Sequence, residues 1–267
     1  MILHYDIADV APYINWAYFF FAWQVKQEAE QRRMRKEAED FMASLGIRYR
    51  THALLMMAPA YSEDDDIVLP ESDCRIPLLR QQTGSECLCL ADFIAPLPTP
   101  PLPSHLSQLA LFATSTDRGL EHDFDADPYQ KMMAQLVADR LAEATAERLH
   151  EQVRKELWGY APDEQLSVAE MQQEHFQGIR PAVGYPSLPD ASINFVLDDI
   201  LHFSQIGITL TESGAMRPHA SVSGLMMSHP QARYFSVGKI GSDQLHDYAV
   251  RRRMSDEMAK KFLSANL

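Results

Sequence analysis

Across its 267 residues the chain carries 37 acidic against 24 basic side chains, a formal net charge of −13. That balance excludes a general nucleic-acid binder, which needs clustered Lys and Arg to neutralise phosphates, and it opposes adhesion to anionic membranes. A hydrophobic fraction of 46% and a charged fraction of 23% belong to an ordinary globular protein able to bury a sizeable core.

No positively charged n-region precedes an apolar stretch at Met1, and the run WAYFFFAWQV is too short to span a bilayer. The cysteines, Cys74, Cys87 and Cys89, form no even disulfide framework. Together these features place the chain in the cytoplasm.

In chain order, the opening HYDIADVAPYINWAYFFFAWQV is dense in aromatics and is expected to pack against the main core. KQEAEQRRMRKEAEDFMASLG follows as an amphipathic helix ending near Gly46, its charges forming a solvated face. From Tyr49 to Pro96 the pattern is that of β structure: THALLMMAPAY, DDIVLP, CRIPLL and ECLCLADFIAP are short apolar or alternating runs separated by polar or proline-bearing turns. PLPTPPLP then breaks the chain as a polyproline stretch covering an edge or spanning two lobes. The clearest helix starts at DPYQKMMAQLV, with Asp127 as N-cap, Pro128 at the first helical position and Gly159 where a C-terminal cap belongs. Met133, Leu136, Val137, Leu141, Ala144 and Leu149 give it one core-facing side. A second helix is expected from Asp190 to Gly207. ITLTES, SVSGLMMS and YFSVGKI read as strands, the last two joined by a hairpin turn at HPQAR. The C-terminus reads as a helix pair N-capped by Ser242 and Ser255.

Few of the usual chemical signatures are present. Cys87 and Cys89 would share a face on a strand, yet a zinc site needs about four ligands and Cys74 is a distant third. YSEDDDI lacks the alternating ligands and glycine of a calcium loop. VRRRM lies in a helix pair with the outline of a helix-turn-helix, against a strongly acidic background. The histidines, among them His202, His219, His229 and His246, form no HExxH motif or Ser-His-Asp order, and neither a P-loop nor a GxGxxG turn occurs.

What stands out is QGIRPAVGYPSLPD, Gln177 to Asp190, with three prolines and two glycines. Arg180 offers a two-pronged fork to a carboxylate, Pro181 stiffens the chain after it, Gly184 permits close backbone approach, and Tyr185 adds an aromatic face with a polar tip. A structural loop and a grip on a small zwitterionic ligand both fit this composition.

GIRPAVGYPSLPD resembles the Arg-x-x-x-Gly-Tyr loop of the activation (reactivation) domain of cobalamin-dependent methionine synthase. The likeness extends along the chain: YINWAYFFFAWQV, LRQQT and CLADFIAP are similar to the opening and middle of that domain, ADRLAEATAERLHEQVRKELWGYAPDEQLS to its long helix, and LTESGAMRPHASVSGLMMSHPQARYFSV and DQLHDYAVRRRMS to its C-terminal portion. The resemblance implies an α+β fold, a C-shaped single domain over residues 1–267 with a twisted antiparallel sheet flanked by helices. It implies S-adenosylmethionine (AdoMet) in a shallow groove and a methyltransferase-type task, the reductive methylation that returns oxidised cobalamin (vitamin B12) to methylcobalamin. The cobalamin would sit on a methionine synthase chain, since no Asp-x-His-x-x-Gly motif occurs here, and flavodoxin or a flavoprotein reductase would supply the electron.

Carried over by position, the AdoMet contacts are Arg180, Ala182, Gly184, Tyr185, Tyr234, Phe235, Glu143, Glu174 and Asn15. Asn15 stands where the family has aspartate and Phe235 where it has tyrosine. Arg217 and Leu225–Met227 replace expected aromatics on the surface that would face the corrin or the partner. These departures give the alternative reading, an AdoMet-binding or protein-interaction module that has lost reactivation.

Overall fold

The computed structural model describes residues 1–97 and 106–267. The proline-rich run expected to cover an edge or span two lobes lies, from residue 98 onward, outside them. The elements are β1 (Ile2–Asp6), α1 (Ile7–Val10), α2 (Trp16–Ala22), α3 (Glu28–Leu45), β2 (Arg50–Glu63), β3 (Asp66–Leu69), β4 (Cys74–Pro77), β5 (Ser107–Thr116), α4 (Gly119–His122), α5 (Pro128–Gln152), α6 (Val168–Gln172), α7 (Ile193–Leu201), β6 (Thr209–Leu210), β7 (Met216–Arg217), β8 (Ser221–Met226), α8 (Ser242–Arg251) and α9 (Asp256–Phe262). Among the described residues no helix is long and apolar enough to cross a membrane.

The main sheet is antiparallel in the order β4-β3-β2-β5-β8, with β1 pairing the first half of β2 on the edge away from β5. At its centre β5 is buried on both faces. Leu109, Leu111 and Ala113 pack towards α7, while Ala110 and Phe112 pack towards α5. A strand covered on both sides shows no polar alternation, and the sequence pattern assigns this segment to nothing.

Helix α5 lies across one face of the sheet. Asp127 caps it by accepting from the Tyr129 and Gln130 amides at 2.8 and 3.0 Å, and Pro128 occupies its first position, as the sequence predicts. Ala134, Ala138, Ala142 and Ala146 keep the buried side thin enough for close approach, and Thr114 Oγ1 donates to the Ala142 carbonyl at 3.0 Å. Its end widens into a π-turn over Val153–Leu157 before Gly159 turns the chain at φ +73°. In α3, Met34, Ala38, Met42 and Leu45 face the core, and the outer face carries four-residue-spaced ion pairs such as Arg35–Glu39 and Lys36–Asp40.

Four expectations are corrected. The helix predicted to run from Asp190 to Gly207 covers only Ile193–Leu201. His202 turns left-handed at φ +55°, the Asp198 carboxylate takes the Phe203 amide at 2.7 Å, and a short 3₁₀ turn leads to Gly207. ECLCLADFIAP is not a strand: Asp92 accepts from the Cys89 amide at 2.8 Å and closes a 3₁₀ turn at Leu90–Phe93. Cys87 sits at φ +48°, so it shares no strand face with Cys89. The hairpin at HPQAR does not form, because the free edge of β8 is already taken by residues 179–183, and YFSVGKI runs as an irregular segment. Finally, α8 is capped by Gly241, with Ser242 inside it, while Ser255 caps α9 as predicted by accepting from the Met258 amide at 3.2 Å.

Two of the three arginines of VRRRM are spent internally, while Arg253 is exposed. Arg251 pairs with buried Asp66 and with Asp247, and Arg252 donates to Ser192 beside buried Asp190, which also accepts from the Tyr248 hydroxyl at 2.6 Å. These bonds fasten the end of α8 to β3 and to the segment ahead of α7.

Candidate functional site

The loop singled out in the sequence is built into the sheet. Ile179 and Met227 exchange two backbone hydrogen bonds at 2.9 Å, the Leu225 amide donates to the Pro181 carbonyl at 3.0 Å, and the Val183 amide donates to the Ser223 carbonyl at 2.9 Å. Residues 179–183 therefore lie antiparallel against β8. Two glycines permit this approach. A Cβ on Gly224 would stand 2.2 Å from the Pro181 carbonyl oxygen, and one on Gly178 would stand 2.2 Å from the Met227 carbonyl oxygen. Beyond this edge the chain reverses: the Gly184 amide donates to Leu188 at 2.8 Å, with Gly184 at φ +87°, and Ser187 Oγ donates to the Phe235 carbonyl at 2.6 Å.

Between this loop, α5 and the segment before the loop lies a cavity of about 640 Å³. Arg180, Ala182 and Tyr185 line it from the loop, Glu143 from α5, Glu174 from the turn after α6, Tyr234 and Phe235 from the late segment, and Asn15 from the start of α2. Of the residues picked out in the sequence, only Gly184 does not line it; a Cβ there would meet nothing within 4 Å, and it serves the turn.

Three carboxylates, Glu143, Glu147 and Glu174, and two guanidiniums, Arg140 and Arg180, line the cavity among aromatic and apolar side chains. Arg180 Nη2 meets Glu147 Oε2 at 2.9 Å, and the Arg180 amide donates to the Tyr234 hydroxyl at 2.8 Å. The Tyr185 hydroxyl donates to Glu143 at 2.6 Å; burial and the Glu143 charge hold its proton well above the ordinary tyrosine range. Burial and the neighbouring Glu147 carboxylate raise the Glu174 pKa above its usual 4.5. Asn15 caps α2, its Oδ1 accepting from the Ala17 amide at 3.1 Å, so the side-chain amide group keeps its N–H donors for other partners. Phe235 offers a ring with no hydroxyl.

Phe176 forms part of the wall, and behind it stand two buried groups of α5 and its π-turn. His150 meets its ring edge-on at 4.9 Å, and the Arg154 guanidinium lies 4.4 Å from its centroid. Burial and the Arg154 and Arg180 charges hold the His150 imidazole neutral, well below the ordinary histidine range. Arg154 is itself fully buried and grips Glu164 through Nε and Nη2 at 2.6–3.1 Å.

Sequence reasoning missed Glu147, Arg140, Tyr18 and Phe176 as lining residues. Arg140, Glu143 and Glu147 share one side of α5 at helical spacing, next to an alanine seam. That seam is the signal that this stripe faces the protein rather than open water.

The family described as vitamin B12 dependent methionine synthase, activation domain, matches residues 6–253. The chain belongs to this family. A solved structure, the MetH reactivation domain bound to AdoHcy (S-adenosylhomocysteine), is similar to this activation domain at 36% identity and a TM-score of 0.92, covering 100% of this chain and 90% of the other. The mixed α+β fold with its twisted antiparallel sheet and flanking helices is that of the MetH domain. One expected departure of this activation domain changes meaning. Leu225, Met226 and Met227 are fully buried in and beside β8, so they alter the core and not a partner-facing surface, whereas Arg217 is exposed.

Proposed function

We propose that this activation domain holds AdoMet in the cavity beside Arg180 and presents its methyl group for the reductive methylation of cobalamin. The observation that carries the reading is the 36% identical relative, whose structure is bound to AdoHcy, the demethylated product of AdoMet. The charge pattern fits such a ligand. Arg180 suits a carboxylate, and Glu143, Glu147 and Glu174 suit an ammonium and a sulfonium. When bound, AdoMet supplies a methyl cation equivalent to the reduced cobalt and leaves AdoHcy, after flavodoxin or a flavoprotein reductase has supplied one electron. This chain contributes binding and orientation: Arg180, Ala182, Tyr185 and Tyr234 seat the ligand, Glu143 orients the Tyr185 hydroxyl, and Asn15 contributes an amide where an aspartate would bring charge. We take residues 1–267 as one domain acting in the cytoplasm, and the client as a cobalamin-bearing methionine synthase chain.

The test is reconstitution. Methylcobalamin is expected only when the protein, AdoMet, a reductant and the corrinoid partner are all present; the same rate without this protein would refute the role. Binding of AdoMet without any methylcobalamin would favour the alternative, a binding module that has lost reactivation.

Binding also has an expected pH dependence. A cationic ligand favours the ionised form of Glu174, whose pKa is raised in the ligand-free protein. Binding therefore expels a proton wherever Glu174 is still protonated, and affinity falls as the pH drops through that raised value, by no more than about tenfold per pH unit. Stability of the ligand-free domain runs the other way, because a carboxyl with a raised folded pKa destabilises once ionised. Calorimetry from neutral pH downward through the carboxylate range should show the affinity slope in wild type and a flattened one in Glu174→Gln. An equal slope in both would remove Glu174 from the site.

A further inference from the structure

Two arginine–glutamate pairs stand close together along α5 and its π-turn, and they are built differently. Arg154 and Glu164 are joined through two nitrogens and both carboxylate oxygens, with side-chain exposures of 0% and 8%, and Arg154 Nη1 is the one guanidinium nitrogen without a partner among the described residues. Arg180 and Glu147 are nearly as enclosed, at 11% and 17%, yet they touch through one nitrogen and one oxygen. Arg180 Nε and Glu147 Oε1 are both buried, and neither has a hydrogen-bond partner among the described residues. A buried donor and a buried acceptor left open on one ion pair are costly unless something completes them. The other candidate partners are committed elsewhere: Glu143 accepts from Tyr185, and the Tyr234 hydroxyl takes the Arg180 amide.

We propose that Glu147 is a positioning residue: it steers the Arg180 guanidinium by one corner, leaving the rest of the fork for a ligand carboxylate, and so makes the cavity selective for the amino-acid end of its ligand. This inference rests on the reading of the cavity as an AdoMet site. Backbone and side chain of Arg180 are fixed separately, the first by Tyr234 and the second by Glu147, with the Phe112 ring 5.9 Å from the guanidinium carbon. Arg180 Nη1 makes no hydrogen bond among the described residues and is not one of the buried atoms, so it is the donor left to meet a ligand carboxylate.

The experiment compares AdoHcy with 5′-methylthioadenosine, which keeps the nucleoside and sulfur but lacks the amino acid, by calorimetry on wild type, Glu147→Gln and Glu147→Asp, with melting followed in parallel. Glu147→Gln keeps shape and loses charge. It is expected to weaken AdoHcy binding about ten- to a hundredfold, leave methylthioadenosine binding within about twofold of wild type, and melt close to it. Glu147→Asp should recover part of the AdoHcy affinity. Glu147→Gln binding both ligands as wild type does, or losing both equally, would overturn the proposal. Wild type failing to bind AdoHcy would instead overturn the underlying reading of the cavity.

Discussion

Gly224→Ala is expected to cost about 3 kcal/mol of folding stability and to weaken ligand binding at least about tenfold, a large effect for one methyl group. The added Cβ would lie 2.2 Å from the Pro181 carbonyl oxygen, 2.9 Å from Ala182 Cα and 3.0 Å from the Phe112 ring. Two of these are backbone of the residues flanking the cavity, so no flexible side-chain tip can swing away. Relief requires moving residues 180–182 by roughly an ångström, a displacement that positioned groups tolerate poorly. Gly184→Ala is the matched comparison. Nothing lies within 4 Å of its Cβ, so it bears only the backbone strain of its φ of +87°, about 1–2 kcal/mol. Urea unfolding and AdoHcy titration of both variants check the ranking; a Gly224→Ala protein as stable as Gly184→Ala would show that the loop is not held against β8.

Glu164→Ala is expected to be the most destabilising change near the site, at about 3–5 kcal/mol. It strips a fully buried Arg154 of its carboxylate, and Arg154 Nη1 already has no partner among the described residues. Phe176, which lines the cavity, rests against the same guanidinium, so the damage extends to binding. Much of the loss is the penalty of an orphaned charge and not the net worth of the pair. Replacing both partners, Arg154→Met with Glu164→Met, should therefore recover most of the stability. Thermal melts of the single and double variants test this. A double variant as unstable as Glu164→Ala would mean that the pair itself holds the π-turn in place.

Local signals read well in this sequence. Asp127 and Pro128 mark the start of α5, Gly46 and Gly159 mark ends, and Ser255 caps α9, because each acts through its own neighbours. Features set by distant contacts were not legible. The β5 strand has no polar alternation because both faces are covered, and the false hairpin at HPQAR arose because nothing local shows that residues 179–183 occupy the edge of β8. At the site, chain-wide family resemblance gathered residues from the start of α2, α5, the turn after α6, the loop and the late segment that spacing alone could not bring together. It missed Glu147, which looks like one more helix-surface carboxylate until its partner is seen. Gly224 left a trace, since a glycine inside a strand pattern marks close backbone approach.

The central claim, that the cavity beside Arg180 is an AdoMet site, is tested most directly by calorimetric titration of AdoMet into wild type and Arg180→Ala, with melting of both followed in parallel. Wild type is expected to bind one AdoMet per chain, and folded Arg180→Ala to bind at least about a hundredfold more weakly, since a charge-assisted fork to the ligand carboxylate is lost. No binding by wild type, or equal affinity in the two folded proteins, would contradict it.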